Sequence, residues 1–168
     1  MSSDGASRRE LKVEDFLVLA ETLRAPGQPQ RICRALERLS GEIVGHRLFT
    51  VMRFDEDRSE VERIHSSLAS AYPVGGRKQK RTTAWSETVL REMKVFRGNT
   101  AADIQAAFDD HQTILGLGLG AVLNIPVVFD GRCLGTMNLL HQAGWYRPED
   151  ESIGLVLGAF LVPALRGG

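Results

Sequence analysis

Five groups of residues in this sequence are candidates for chemistry, and spacing separates them. The two cysteines, Cys33 and Cys133, form no C-x-x-C pair and no metal-ligand spacing, so a zinc site and a dithiol are both unsupported and two separate reduced thiols are expected. The histidines His46, His65, His111 and His141 occur singly, without the i,i+4 pairing of a helical metal site. His111 beside Asp109 and Asp110 comes nearest to a ligand set, and ordinary surface or strand-end histidines meet the same pattern. The run Arg77-Lys78-Gln79-Lys80-Arg81 reads either as an anion clamp or as a solvated loop, and it lacks the interleaved aromatics of a nucleic-acid strand binder. Gly116-Leu117-Gly118-Leu119-Gly120 has glycines spaced like a phosphate loop but precedes a strand, so the helix N-terminus that holds phosphate is missing. Asn124 and Asn138 stand inside apolar runs, where an amide left without partners costs about 1–3 kcal/mol.

The elements that position these residues follow from hydrophobic period. Residues 11–24 carry Val13, Phe16, Leu17, Ala20 and Leu23 near a 3.6 repeat, and residues 30–44 carry Ile32, Leu36, Leu39 and Ile43 on one stripe, so both segments are expected as helices. The period changes to two in residues 48–54 and 61–66, two strands around the polar turn Asp55-Glu56-Asp57-Arg58. Residues 67–81 read as a long loop. Thr83 suits an N-cap for a helix over 84–93, residues 95–97 a short strand, and 100–108 and 109–117 short helices. A last helix starts at Pro148, where proline loses no needed donor, and Glu149, Asp150 and Glu151 suit its dipole.

The strongest local signal is Asp130-Gly131 between the apolar runs 121–129 and 132–140, a type I′ hairpin turn in which both central residues take positive φ. Unbroken pairing from that turn sets Asn124 opposite Met137 and Leu123 opposite Asn138, which places the two asparagines on opposite faces. Both faces are mainly apolar, and a sheet of that kind is covered on both sides. The expectation is an α/β (α+β) fold in three layers, α/β/α, with a central antiparallel sheet. Terminal helices cover one face, and residues 67–117 roof a pocket on the other.

The 21 basic and 21 acidic residues cancel, so no global field favours nucleic acid or an anionic membrane. No apolar run approaches the roughly 20 residues of a membrane span, and Met1–Gly5 lacks the regions of a signal peptide, which makes the cytoplasm the expected location. At 168 residues a single domain over 11–168 is expected, after a disordered tail over 1–10.

Residues 115–140, ending AVLNIPVVFDGRCLGTMNLL, resemble the C-terminal half of a GAF domain. That family shows a strand of the type small-x-L-x-x-P-hydrophobic, a D-G-like turn, and a returning strand with glycine and leucine. Ala121, Leu123, Pro126, Val127, Asp130-Gly131, Gly135 and Leu139 fill those places. Residues 148–165 resemble the family's closing helix and 83–96 its middle helix and following strand, so the likeness covers roughly residues 14–166.

The resemblance implies a small-molecule sensor. Members bind cyclic nucleotides, tetrapyrroles, haem, iron or metabolites, and a few are enzymes. The N-K-x-D-E-like signature of cyclic-nucleotide binders is missing, and neither cysteine precedes a histidine as in bilin-binding members. The free methionine-R-sulfoxide reductase branch needs pocket cysteines, and the matching regions 84–87 and 116–120 contain none. The expected protein is therefore a free-standing, bacterial-type regulatory domain that binds an unidentified small molecule without catalytic residues, metal or cofactor. It dimerises through its terminal helices and contacts neither nucleic acid nor membrane. Its expected pocket lining is Tyr72, Trp85, Phe96, Asn124, Asn138, Met137 and His65, with at most one asparagine facing inward. The alternatives are a pocket enzyme of the reductase type and a structural dimerisation module.

Overall fold

The computed structural model describes residues 8–166. Its elements run α1 (Val13–Arg24), α2 (Gln30–Ile43), β1 (Leu48–Asp55), β2 (Glu60–Ser66), β3 (Arg77–Gln79), α3 (Ala84–Ser86), a π-helical turn (Glu87–Arg91), β4 (Phe96–Gly98), α4 (Ala101–Ala107), α5 (His111–Gly116), β5 (Ala121–Phe129), β6 (Arg132–His141), α6 (Pro148–Gly158), a 3-10 turn (Ala159–Leu161) and α7 (Val162–Arg166). The six strands form one antiparallel sheet in the order β3-β2-β1-β6-β5-β4. The three-layer α+β arrangement is the expected one.

The terminal helices pack one face solidly. Ile32, Leu36, Leu39 and Ile43 of α2 are buried with Leu123, Ile125, Val127, Met137 and Leu139 of the hairpin and with Leu157 and Leu161. Helix α6 approaches closely because Gly154 and Gly158 face Ile125, where a β-carbon at residue 154 would overlap the isoleucine side chain. Helix α1 departs from the expected stripe: it turns Asp15 and Leu19 inward and leaves Val13 78% and Leu17 60% exposed. The reason is an ion-pair cluster. Arg9 donates to both carboxylate oxygens of Asp15 at 2.8 Å and to Glu42 of α2 at 2.8 Å, while the backbone N–H of Lys12 donates to Asp15 at 2.8 Å. Arg8 does the same for α6, donating to the buried Asp150 at 2.7 and 2.8 Å and to the Trp145 carbonyl at 2.7 Å. The expected disordered tail thus includes two anchored residues, and residues 1–7 lie outside those described.

The Asp-Gly turn forms as expected, with φ of 53° at Asp130 and 74° at Gly131. The register beyond it corrects the expected one. Val128 pairs with Cys133 but Val127 pairs with Gly135, so Leu134 is an extra, bulged residue. Leu134 and Gly135 both turn towards the helices: Leu134 packs on that core and a β-carbon at Gly135 would meet Leu165. Every residue from Thr136 onward therefore changes face, and Asn124 pairs directly with Asn138. A second bulge at Ile64 sets Val51 opposite His65 but Met52 opposite Arg63.

Two other expectations shift. The segment expected as a loop over 67–81 includes the edge strand β3, built from the basic run and paired with β2. Thr83 caps its helix as expected, accepting from the Ser86 N–H, but the regular helix expected to Met93 becomes a π turn, which buries the adjacent Val89 and Leu90 together, and Met93 closes it at φ 57°.

Two outcomes follow from this packing. Arg9 holds the Asp15 carboxyl down at about 2, below its unfolded value, so the contribution is present above about pH 4 and is lost as pH falls towards 2. Denaturant titrations across that interval should show Asp15→Asn already weakened at neutral pH and losing less further stability on acidification than the parent; parallel losses would refute the assignment. Gly135→Ala should cost roughly 2–4 kcal/mol in the same assay, because the new β-carbon would collide with the Met52 carbonyl oxygen of the neighbouring strand.

Candidate ligand cavity

The other face of the sheet is hollow. A cavity of about 280 Å³ lies between strands β1, β2, β5 and β6 below and the segment from Tyr72 through α5 above. Leu48, Val61, Val122 and Leu140 supply apolar floor, and Trp85, Phe108 and Ile114 apolar wall. Across the middle runs one register row, Thr50 of β1, Asn138 of β6 and Asn124 of β5.

This row is hydrogen-bonded end to end. The Trp85 indole N–H donates to Asn124 Oδ1 at 3.0 Å, Asn124 Nδ2 donates to Asn138 Oδ1 at 2.7 Å, and Asn138 Nδ2 donates to Thr50 Oγ1 at 3.2 Å. An indole can only donate, so it fixes the carbonyl end of Asn124 towards itself, and each later amide takes the orientation that follows. The chain satisfies three buried polar side chains while leaving each amide one N–H and the threonine its hydroxyl proton, all at the cavity floor.

The side of the cavity at the β2–β3 edge is basic. Arg63, Arg77, Lys78 and Lys80 line it, against the single carboxylate of Asp110 among the described lining residues. Arg77 pairs with Glu60 and Glu62 on β2. The Tyr72 hydroxyl donates to Asp110 at 2.9 Å. The Arg63 guanidinium lies 5.0 Å from the Tyr72 ring centre and the Lys80 ammonium 4.8 Å from that of Trp85. Neither cation has an ion pair among the described residues. Arg63 Nη1 donates to the Pro73 carbonyl at 3.3 Å, and its buried Nε has no partner. Loss of water lowers the pKa of both cations from their ordinary values.

The structure brings four of the expected lining residues together: Tyr72, Trp85, Asn124 and Asn138. Both asparagines face the cavity, which corrects the expectation that one at most would, and the bulge at Leu134 is the cause. The same bulge turns Met137 to the helical face, where it is fully buried in the core. His65 is also on that face. Simple alternation would align it with Val61 and Arg63, but the Ile64 bulge turns it over to Glu37, 2.8 Å away, and to the Phe49 ring. Phe96 pairs with Asn124 but packs behind the cavity, against the cluster of Val122 and that of Trp85. Thr50, Arg63 and Asp110 were not expected in the lining, although simple alternation along β1 and β2 sets Thr50 with Leu48 and Arg63 with Val61. Lys80 was part of the candidate anion clamp.

The remaining candidates are occupied elsewhere. Cys33 is buried among the helices and Cys133 beside Trp85 and Val89, and neither lines the cavity. Burial pushes the Cys33 thiol up to about 12 and the Cys133 thiol to about 11. His46 contacts the Glu37 carbonyl oxygen at 2.7 Å, His111 that of Phe108 at 3.0 Å, and His141 stacks on Trp145. Among the described residues no group of three or more histidine, cysteine or carboxylate side chains is placed to hold a metal ion. No helix among them is long and apolar enough to cross a membrane.

No protein-family model matches the chain, and no curated protein matches it by sequence. Solved structures do. The GAF domain of a phosphoenolpyruvate-protein phosphotransferase from Acinetobacter superposes with a TM-score of 0.72 at 12% identity, covering 95% of this chain and 95% of that one. The GAF domain of a two-component sensor histidine kinase from Bacillus halodurans gives 0.68 at 13% identity, covering 83% and 95%. A type II free methionine-R-sulfoxide reductase from Thermoplasma acidophilum gives 0.60 at 10% identity, covering 82% and 92%. At such identities the likeness speaks for architecture alone, and on that ground the chain has the GAF-domain fold.

Proposed function

We propose that the chain is a small-molecule-binding regulatory domain whose ligand occupies the cavity over Asn124 and Asn138. The observation that carries this reading is the hydrogen-bonded row itself. Three polar side chains are set into an apolar floor with donor capacity to spare, at the base of a partly open space on the order of ten non-hydrogen atoms in size. A collapsed structural module has no use for that arrangement. The kinase and phosphotransferase that carry similar folds favour a regulatory role. The reductase of similar fold suggests the enzymatic alternative, but here both thiols are buried outside the cavity and held protonated, which favours binding over sulfur chemistry.

Output through a second copy fits the outer helical face. Val13 and Leu17 of α1 and Leu155 and Val156 of α6 are exposed apolar side chains, and Phe16 stacks on Phe160 where α1 meets the C-terminal segment.

Two measurements test these readings. Native mass spectrometry of the purified protein, with melting curves in a metabolite panel, should reveal a retained or stabilising molecule; at 100 times its Kd a ligand adds about 2.7 kcal/mol. Val122→Phe should fill the floor and abolish that response while circular dichroism stays unchanged. A panel without effect on the parent, or an undiminished response in the variant, would remove the cavity from the account. Sedimentation should give a dimer for the parent and a monomer for Leu17→Glu/Leu155→Glu, and a monomeric parent would end the second-copy reading.

A further inference from the structure

The cavity carries an excess of positive charge that Asp110 and the Arg77 ion pairs offset only in part. Arg63 and Lys80 are each withdrawn from water and held over an aromatic face, yet neither meets a carboxylate among the described residues. The nearby Asp110 accepts from the Tyr72 hydroxyl and attracts both cations through space, but forms a close ion pair with neither among the described residues. Arg8 and Arg9, by contrast, meet Asp150 and Asp15 at 2.7 and 2.8 Å, and even Arg53, whose Nε is likewise unpartnered among the described residues, has Glu62 at 3.7 Å. Removing a cation from water without a partner is unfavourable, and a partly buried guanidinium with an unpaired Nε is a standing donor for an oxyanion. Facing these two cations across an apolar space is the asparagine row, which offers neutral hydrogen-bonding groups.

The geometry points to a small organic anion as the ligand: one carboxylate or phosphate head held between Arg63 and Lys80, and a compact apolar body against Trp85, Val122 and Leu140. This assignment rests on the ligand-binding reading above and adds charge selectivity to it. The aromatic faces under both cations orient them without neutralising them, so their charge stays available to the head group. The asparagine amides then read whatever polar atom the body presents at the floor.

The test uses four probes of one skeleton and different charge: phenylacetate, phenyl phosphate, the neutral phenylacetamide and the cationic phenethylamine. Titration calorimetry on the full chain should show at least one of the two anions binding about tenfold or more tighter than the amide, with affinity falling as salt rises. Phenethylamine should be the weakest. Lys80→Met keeps the stem on Trp85 and Arg63→Gln keeps a polar group, and together they should bring the anions to parity with the amide while the amide's own affinity holds. A merely structural role for the two cations would weaken all probes alike. Amide or amine binding as well as both anions would overturn the anion assignment and leave the ligand-binding reading standing, as would a preference that survives the double variant. Failure of all four probes to bind overturns the anion assignment; the ligand-binding reading falls with it if the metabolite panel is also silent.

Discussion

Between the Asp130-Gly131 turn and Thr136, strand β6 has one residue more than the strand it pairs with, and Leu134 is that residue. Because side chains alternate across a strand, a single insertion reverses everything beyond it. Here the reversal sends Met137 and Leu139 into the helical core and delivers Thr136, Asn138 and Leu140 to the cavity side. It also brings Asn138 level with Asn124 and with Thr50, so three polar side chains on three strands fall in one row. Without the bulge, one asparagine would be buried under α6 without an evident partner and the other would lack its neighbour. Gly135 makes the bulge compatible with a central strand, because no β-carbon fits against the Met52 carbonyl oxygen.

The row in turn gives the hollow face its internal order. Trp85 belongs to a short helical segment over 84–91, capped by Thr83. Its indole N–H is fixed on Asn124 and its ring under Lys80, so the roof is tied to the floor through one donor-only group. Tyr72 repeats this on the other side, linking the loop before β3 to Asp110 at the start of α5. The helical face has directional ties at its edges, as Arg8 with Asp150 and Arg9 with Asp15, but rests mainly on packing. Its apolar stripes interlock, and Gly154 and Gly158 let α6 sit directly on Ile125. One face is thus packed to be rigid and the other assembled from short pieces joined by directional bonds.

Much of the architecture was legible in the chain, because it rests on signals that act locally. The Asp-Gly turn, the Thr83 cap, Pro148 at the first turn of α6 and the α2 stripe all operate within a few residues, and each appears where expected. The misreadings share a different cause. Leu134 and Ile64 are ordinary strand residues, and nothing in their types announces a bulge; what selects it is the volume available on each side of the finished sheet. Tyr72 and Trp85 were recognisable as lining because they sit in connecting segments over the sheet, whereas His65 and Met137 depended on strand parity and were lost with it. The exposed side of α1 was misread for a related reason: the Arg9–Asp15 pair, which rotates the helix, joins residues whose types alone suggest surface.

The contrast between the faces bears on how occupancy can be transmitted. A ligand that neutralises Arg63 and Lys80 would act on β2, on the segment that follows β3 and, through Trp85, on the short turn above Asn124. Of these, β2 is paired on both sides in the sheet, whereas the segment after β3 and the short turn are held by fewer directional contacts, and segments of that kind open locally at the lowest cost. The helical face, by comparison, is a continuous core with charged staples at Asp15 and Asp150 on its outer edge. The two faces share the strands themselves: Met52 and Thr50 look into the cavity while Phe49 and Val51, between and beside them, are buried against the helices. On the proposed reading, a shift of β1 would reach the helical core through Phe49 and Val51 without crossing a loop. The exposed apolar residues of α1 and α6 belong to that same helical layer, so the proposed ligand site and the proposed subunit contact would be connected by one sheet, and the bulged register that forms the cavity also sets which side of each strand the helices meet.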